Sequence, residues 1–230
     1  MKKLLNLIWK DFLFFIEYRL FYMILLLSLL FGFIIGFFPI VNPLFFIFLS
    51  LYIIPVITYS IKHYIDKEEY ALSETKKTTE NIIVKTVSSF MLNIIPLIIY
   101  IIVLVFVLHV RINYFLFILV YFLGSIIHIL IGFIIAERAK TIISLSLTYT
   151  VYILFFSLIP FLFLYNFMPE IFNYILIFSP AYLNSVLLFN IQIGYIFSDV
   201  TLIVISLVLQ FLLIVALFYM LLAKRGIKID

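Results

Sequence analysis

Few side chains in this sequence could perform chemistry, and those few are far apart. The chain has three histidines, His63, His109 and His128, and it has no cysteine. The lack of cysteine excludes disulfides, thiolate metal sites and thiol nucleophiles. The sequence also contains no H-E-x-x-H pair, no glycine-rich phosphate loop and no G-x-S-x-G motif. We therefore expect a chain that is not an enzyme and that itself binds no metal and no cofactor.

His128 is the one titratable side chain well inside an apolar segment, on a helix face with Gly124 and Gly132. An ionisable group at such a position is a candidate for a transport role. The interpretation we favour is a packing histidine that hydrogen-bonds to a neighbouring helix. Separately, Gly32 and Gly36 have the small-xxx-small spacing that brings membrane helices close together. These two glycines are candidates for helix packing or for a dimer contact.

The composition indicates which class of protein must position these residues. Of the 230 residues, 67% are hydrophobic and 11% are charged, and the mean hydropathy is +1.33. Soluble domains are about half apolar and about one quarter charged. Too few polar residues remain to cover an aqueous surface, so most of the apolar surface must face lipid or other helices. We therefore expect an all-α integral membrane protein.

Long apolar runs bounded by charge predict a single transmembrane domain over residues 1–230 with six transmembrane helices. Each run is close to the ~20 residues that cross the hydrocarbon core as a helix. The alternating pattern of membrane β-barrels does not occur in the sequence. The predicted spans are Leu20–Phe38, Leu44–Ile61, Val87–Leu108, Tyr114–Ala136, Thr141–Tyr165 and Val200–Leu222.

The basic residues predict the orientation of these spans. Of the 15 lysines and arginines, all but Arg111 lie in the segments that the six spans place on one side. Basic residues are enriched in cytoplasmic segments, so both termini are predicted to be cytoplasmic. The abundance of Ile, Phe, Tyr, Asn and Lys is typical of an AT-rich bacterial genome. The plasma membrane of a bacterium is therefore the expected location.

The first 19 residues predict an amphipathic helix that lies in the membrane interface. Polar residues recur at helical spacing on one side, and apolar residues form the other side. The alternative is a charged leader that simply precedes the first span. The polar side consists of Lys3, Asn6, Lys10 and Glu17, and the apolar side of Leu5, Ile8, Trp9, Phe12 and Ile16.

The outer connection, residues 166–199, contains no lysine or arginine, yet it is too apolar for an ordinary exposed loop. Two short apolar stretches broken by Pro180 predict half-helices that dip back into the outer leaflet. We expect Pro169, Pro180 and Tyr182 to belong to this re-entrant hairpin. The alternative, a seventh span, would place the basic C-terminus outside.

The polar stretch 62–86 is the longest predicted loop on the inner side, and its five acidic residues balance five basic ones. Thr78 or Thr79 can cap a short helix, and Glu80 favours the positive end of such a helix. Ile82 and Ile83 add an apolar edge. A short helix of mixed charge is suited to docking a soluble partner. The alternative is a plain solvated loop.

This loop resembles the coupling segment in the permease subunits of type-2 ABC exporters. The family commonly has an acidic-basic-acidic start, then Gly-Thr-Leu-Glu, a Thr-Pro turn and Glu-x-x-x-x-Lys before the third span. About four residues are missing here between the two halves. The chain departs from the pattern at Tyr70, where the family has glycine, and at Thr78-Thr79, where it has Thr-Pro. The corresponding residues are Asp66-Lys67-Glu68-Glu69, Ala71-Leu72-Ser73-Glu74 and Glu80-Asn81-Ile82-Ile83-Val84-Lys85.

The order of elements also resembles that family, including the proline-containing turn Phe178–Tyr182 of the outer hairpin. The resemblance implies that two permeases pair, as a homodimer or heterodimer, and that separate cytoplasmic ATPase subunits bind ATP and Mg²⁺. Among subfamilies, the small drug-export permeases of the fluoroquinolone type are the most similar. The residues implied in the ATPase contact are Asp66, Lys67, Glu68, Glu69, Leu72, Glu74, Glu80, Ile83 and Lys85.

The expected function is therefore export of an amphipathic or apolar drug, peptide or lipid, with no nucleic-acid partner. Aromatic, uncharged spans favour such substrates over sugars or inorganic ions. Two other classes stay open on the sequence. One is a membrane-embedded immunity or scaffold protein that binds a partner without transport. The other is a membrane enzyme acting on lipid or peptide, which the shortage of catalytic residues disfavours.

Overall fold

The structure is a computed structural model that describes residues 2–37, 43–70, 79–155, 169 and 200–224. Regular structure within these ranges is helical. A π-helical turn, Val103–Val107, continues the fifth helix. The helices are α1 (Lys2–Glu17), α2 (Leu20–Phe37), α3 (Pro43–Tyr70), α4 (Thr79–Leu92), α5 (Ile94–Ile102), α6 (Tyr114–Arg138), α7 (Ile142–Ile153) and α8 (Val200–Lys224).

Three helical stretches of the described residues are long and apolar enough to cross a membrane: Leu20–Phe37, Glu80–Val107 and Tyr114–Arg138. Two shorter apolar helices are Ile142–Ile153 and Leu207–Ala223. The predicted all-α, membrane-like character is confirmed at this level, whereas the number of six spans stays a prediction. The outer hairpin lies outside the described residues, Pro180 and Tyr182 with it, except for Pro169, which is exposed.

The loop between the second and third predicted spans is shorter than expected. Helix α3 continues through Lys62 to Tyr70, and α4 begins at Thr79 with Glu80 in its first turn. Residues 62–70 contain neither glycine nor proline, so nothing in the sequence ends the helix at the membrane boundary. Only residues 71–78 remain between the two helices. Residues 62–70 and 79–86 of this stretch are thus helical, and the predicted helix start at Thr79 is observed. The role of the stretch as a coupling segment stays a prediction.

The helix that contains the third predicted span is broken in the middle of the apolar run. Helix α4 ends at Leu92, and α5 begins at Ile94. Pro96 has no N–H to donate to the carbonyl four residues earlier, and its ring opposes a regular helix there. The hydroxyl of Tyr59 donates to the Ser89 carbonyl over 2.6 Å at this break. The Ser89 carbonyl is thus paired inside the bundle with a side chain of α3.

The centre of the fold is the contact between α3 and α6, which is the most extensive in the described residues. Gly132 allows this contact, because a Cβ atom there would lie 3.3 Å from the Ser60 nitrogen and 3.5 Å from the Val56 oxygen. Helix α2 packs on α3 and α5, α8 packs on α6, and α1 lies across α4. Helix α3 is therefore the element through which other parts of the chain are connected.

Gly32 and Gly36 lie where α2 meets α5 and the π-helical turn. A Cβ atom at Gly32 would be 2.8 Å from Ile99 Cγ2, whereas at Gly36 it would be 3.4 Å from Val107 Cγ1. The first distance requires a shift of Ile99, and the second is an ordinary contact. The two glycines therefore form a close helix contact within the chain, and their part in a dimer stays a prediction.

We expect Gly32→Ala to destabilise the protein relative to Gly36→Ala. Both changes gain up to about 1 kcal/mol in helix propensity, but only Gly32→Ala must displace a neighbouring side chain. The comparison is made by heating the detergent-purified variants and measuring the monodisperse fraction by gel filtration. Equal melting temperatures for the two variants would contradict the packing difference.

Candidate functional site

A network of buried charges joins three helices at one end of the bundle. The Lys62 ammonium lies 2.6 Å from Asp11 Oδ1 of α1 and 3.2 Å from Asp66 Oδ2 of α3. The Lys85 ammonium of α4 lies 2.7 Å from the same Asp66 oxygen. The Ser88 hydroxyl donates to the other oxygen of Asp11. We call Asp11, Lys62, Asp66 and Lys85 the charge network.

The charge network is almost inaccessible to solvent. Lys62, Asp66 and Lys85 are 0%, 1% and 3% exposed, and the Asp11 side chain is 11% exposed. Two carboxylates compensate two ammonium groups, so the network is neutral as a whole. Removal of one partner from a buried ion pair typically costs about 3–5 kcal/mol, because the remaining charge is left uncompensated. The four side chains therefore act as one unit.

The electrostatics of Asp66 agree with this neutral arrangement. Burial alone raises the pKa of Asp66, but the nearby charges of Lys62 and Lys85 outweigh it, so the pKa lies below its ordinary value of 3.8. Asp66 is therefore ionised at neutral pH. It bonds to lysines on both sides, which fixes the end of α3 against the start of α4.

A hydrogen-bonded contact between His63 and Glu137 joins the same part of α3 to α6. His63 Nε2 lies 3.0 Å from Glu137 Oε1, and the imidazole ring packs against Phe133 with ring centroids 4.8 Å apart. His63 is 1% exposed. Since Lys62 and His63 are neighbours in sequence, one turn of α3 connects α1, α4 and α6.

Aromatic contacts reinforce the attachment of α1. The Lys62 ammonium lies 5.0 Å from the ring centre of Phe15 and 5.4 Å from that of Phe14. Such cation–π contacts stabilise by about 0.5–2 kcal/mol, more when they are desolvated. The fully buried Phe15 also packs edge-on against Tyr59 of α3, with ring centroids 5.9 Å apart. Lys62 thus forms one ion pair and two cation–π contacts with α1.

The predicted apolar side of α1 divides into a part that meets the bundle and a part that is exposed. Phe15 is buried against the bundle, and Phe12 and Asp11 are partly buried. A second row of apolar side chains, with helical spacing, is exposed on the outside of α1. This row consists of Leu5, Trp9, Leu13 and Ile16, which are 58%, 56%, 42% and 39% exposed. Helix α1 therefore has one face for the bundle and another suited to a lipid surface.

The residues implied in the ATPase contact fall into three groups. Asp66 and Lys85 are buried and paired within the chain, so their charges are directed to each other and not to the surface. Glu80 is exposed, and Ile83 is 39% exposed, whereas Ile82 is buried. Lys67, Glu68 and Glu69 lie on the last turn of α3, and Leu72 and Glu74 lie outside the described residues.

Sequence reasoning missed two members of the network, Asp11 and Lys62. The signal for Asp11 is its place on the apolar side of α1, between Ile8 and Phe12 and one turn before Phe15. A carboxylate among apolar residues at helical spacing indicates a buried partner. No comparable signal marks Lys62, because it lies at the end of an apolar run, where an exposed lysine is common.

His128 is fully buried in α6, but its recorded hydrogen bond is within its own helix. Nδ1 lies 2.6 Å from the Gly124 carbonyl oxygen. Because a carbonyl only accepts, Nδ1 carries the proton. The ring also packs against Tyr152 of α7, with centroids 6.0 Å apart. These contacts agree with packing of His128, and the expected bond to a neighbouring helix stays a prediction.

An apolar groove lies on the other side of the bundle, between α2 and α5. It has a volume of about 580 Å³ and is lined almost entirely by carbon. Phe33 and Phe37 on α2 and Ile102 and Val107 opposite them are about half exposed or more. Such a surface is suited to lipid or to an apolar molecule.

The described residues contain no group of three His, Asp or Glu side chains that could hold a metal ion. Comparison with family models, curated proteins and solved structures finds no match to this chain. Interpretation of the site therefore depends on its own geometry and on the loop motif.

Proposed function

We propose that this chain is the membrane-spanning permease subunit of an ATP-driven ABC exporter. The observation that carries the proposal is the short connection 71–78 between two helix ends that buried ion pairs hold together. A protein bound at this connection would act directly on the end of α3 and the start of α4, which the Asp66–Lys85 pair joins. The resemblance of residues 66–85 to the coupling segment of type-2 ABC exporters indicates the kind of partner, a cytoplasmic ATPase.

The energy for transport would come from that partner. The sequence contains no phosphate-binding loop, so ATP and Mg²⁺ bind to the ATPase. Exposed Glu80 and Ile83 on the first turns of α4, together with Glu68 and Glu69 on the last turn of α3, supply acidic and apolar contacts. Closure of the ATPases would move the ends of α3 and α4 as one unit.

The substrate would be an amphipathic or apolar drug, peptide or lipid. The groove between α2 and α5 is lined almost entirely by carbon, and several of its side chains are about half exposed. A substrate dissolved in the membrane could reach such a surface without crossing water. A second permease completes the pathway, and the charge bias of the sequence supports cytoplasmic termini in a bacterial plasma membrane.

The direct test is purification of the tagged chain from its host in mild detergent, with and without crosslinking. Recovery of a soluble ATPase with a phosphate-binding loop at near-equal stoichiometry, and stimulation of its hydrolysis by the permease, would support the proposal. A clean purification without an ATPase under both conditions would contradict it and favour an immunity or scaffold protein.

Charge reversal at the proposed contact should uncouple the ATPase. We expect Glu80→Lys, and the pair Glu68→Lys with Glu69→Lys, to lower export about five- to a hundredfold, the usual range of coupling between sites. Glu80 is exposed, so the amount of protein in the membrane should be unchanged. The measurement is export from intact cells alongside quantification of the membrane-inserted protein.

The matched control is Glu17→Lys, which reverses an exposed carboxylate on α1 away from the connection. It should leave export at the unmodified level. Unchanged export in the Glu80 and Glu68/Glu69 variants would remove the docking role of this surface. An equal loss in the Glu17 control would show an effect of surface charge alone.

A further inference from the structure

Helix α1 has two apolar faces, and a single carboxylate lies on the one that meets the bundle. Asp11 is paired with Lys62 at 2.6 Å and accepts a hydrogen bond from Ser88. The opposite face exposes Trp9 and Leu13. Apolar burial alone could therefore hold α1 either on the bundle or in the lipid surface. The Asp11 pair favours only the position on the bundle.

The partner of Asp11 is shared with the helix that leads to the connection 71–78. Lys62 also contacts Asp66 at 3.2 Å, and Asp66 contacts Lys85 of α4 at 2.7 Å. A displacement of the joined ends of α3 and α4 relative to α1 would therefore take Lys62 away from Asp11 and leave it beside Asp66. A half-paired buried network is costly. Asp11 is the member of the network that such a displacement would leave without a counter-charge.

We propose that α1 is an electrostatic latch: Lys62 compensates the buried Asp11 carboxylate, and loss of this counter-charge expels the unpaired carboxylate, and α1 with it, into the lipid surface. Release would follow when the joined ends of α3 and α4 move relative to α1 and withdraw Lys62 from Asp11. The latch itself stands on the geometry of this chain, whereas its drive by ATP hydrolysis rests on the proposed function. Lys62 is then a positioning residue for α1.

Removal of one charge of the pair, compared with removal of both charges, distinguishes a latch from simple packing. Lys62→Met keeps the length of the side chain but leaves Asp11 without its counter-charge. The double variant Asp11→Asn with Lys62→Met removes both charges, and the Asp66–Lys85 pair stays intact. A latch predicts that the single variant releases α1 and that the double variant restores it, since interacting residues give non-additive effects.

The chain contains no cysteine, so spin labels can be placed at chosen positions without further changes. Asn6 on α1 and Lys140 after α6 are both exposed, and cysteines there carry the labels. Pulsed electron-spin distances in lipid nanodiscs should show one narrow distribution for the labelled parent protein. Lys62→Met should shift it by about one helical turn, ~5 Å, or more, and the double variant should return it.

The native tryptophan gives an independent measurement. Trp9 is the only tryptophan in the sequence, so its quenching by lipids brominated at defined depths reports the position of α1 without labels. Lys62→Met should change the depth of maximal quenching, and the double variant should restore it. All variants are first checked for a monodisperse gel-filtration peak, and the double variant tests the latch even if Lys62→Met alone does not fold.

The control is Lys10→Met, which removes an exposed charge from α1 itself and should shift neither the distance nor the quenching. Unchanged distances in Lys62→Met would overturn the latch. An equal displacement in the single and double variants would also overturn it, because it would assign the effect to lost packing on Phe14 and Phe15. No ATPase is present in any of these measurements. Their interpretation therefore does not depend on the exporter proposal.

Discussion

Replacement of Asp66 by asparagine is expected to destabilise the folded protein by roughly 3–5 kcal/mol, the cost of removing one partner from a buried ion pair. Asp66 is 1% exposed and lies within 3.2 Å of Lys62 and 2.7 Å of Lys85. An amide of the same shape keeps the packing, but it leaves two buried ammonium groups with Asp11 as their only carboxylate in the network. The loss is therefore electrostatic.

The measurement is denaturant or SDS titration of the purified protein in detergent, followed by circular dichroism. Glu80→Gln is the matched control, because it makes the same chemical change at an exposed carboxylate on a neighbouring helix. That control should unfold at the same denaturant concentration as the unmodified protein. If Asp66→Asn and Glu80→Gln unfold together, the buried network does not contribute to stability.

The contribution of Asp66 should also depend on pH with a defined sign. Its pKa in the folded protein is lower than the ordinary value of 3.8, because the lysine charges outweigh the effect of burial. The stabilisation is therefore fully present above pH 3.8 and is lost as the pH falls through the lower folded pKa. The difference between the unmodified protein and Asp66→Asn should be constant near neutral pH and should shrink in strong acid.

Gly132→Leu is the second change expected to have a large effect. A Cβ atom at this position would already lie 3.3 Å from the Ser60 nitrogen and 3.5 Å from the Val56 oxygen. These are backbone atoms of α3, which cannot rotate away as a side chain could. A leucine would force α3 and α6 apart at the centre of the fold, and such overpacking costs about 1–3 kcal/mol or more.

Gly132→Ala separates helix propensity from packing. Alanine gains up to about 1 kcal/mol of propensity and requires a shift of a few tenths of an ångström, so its effect should be small. Gly36→Leu, next to the open groove between α2 and α5, is the control for bulk. Melting temperatures from gel filtration after heating should rank Gly132→Leu lowest. A similar loss in Gly36→Leu would show that bulk on any helix is destabilising.

The charge network connects the parts of this chain that the proposed function would have to move together. Lys62 and His63, adjacent on α3, bind Asp11 of α1 and Glu137 of α6, and Asp66 binds Lys85 of α4. Each pair joins a different helix to the same two turns of α3. Motion applied at residues 71–78 would reach these helices through largely buried polar contacts.

Local sequence determined the class of the fold and several helix boundaries. Predicted spans Leu20–Phe38 and Tyr114–Ala136 match α2 and α6 within one or two residues. This agreement has a simple cause, because a long apolar run can satisfy its backbone in lipid only as a helix. The start of α4 at Thr79 was likewise readable, since a capping residue followed by glutamate marks a helix start.

Only the tertiary structure decided what the charged residues do. Asp66 and Lys85 belong to a polar stretch of the sequence, which predicts surface charges that bind a partner. In the folded chain they are buried, and the Lys85 ammonium lies 2.7 Å from the Asp66 carboxylate. Asp11 and Lys62 are 51 residues apart and meet because α1 crosses the bundle beside α3. Hydrophobic periodicity specifies which residues are helical, but the pairing of charges depends on how the helices pack. A single sequence does not contain that information locally.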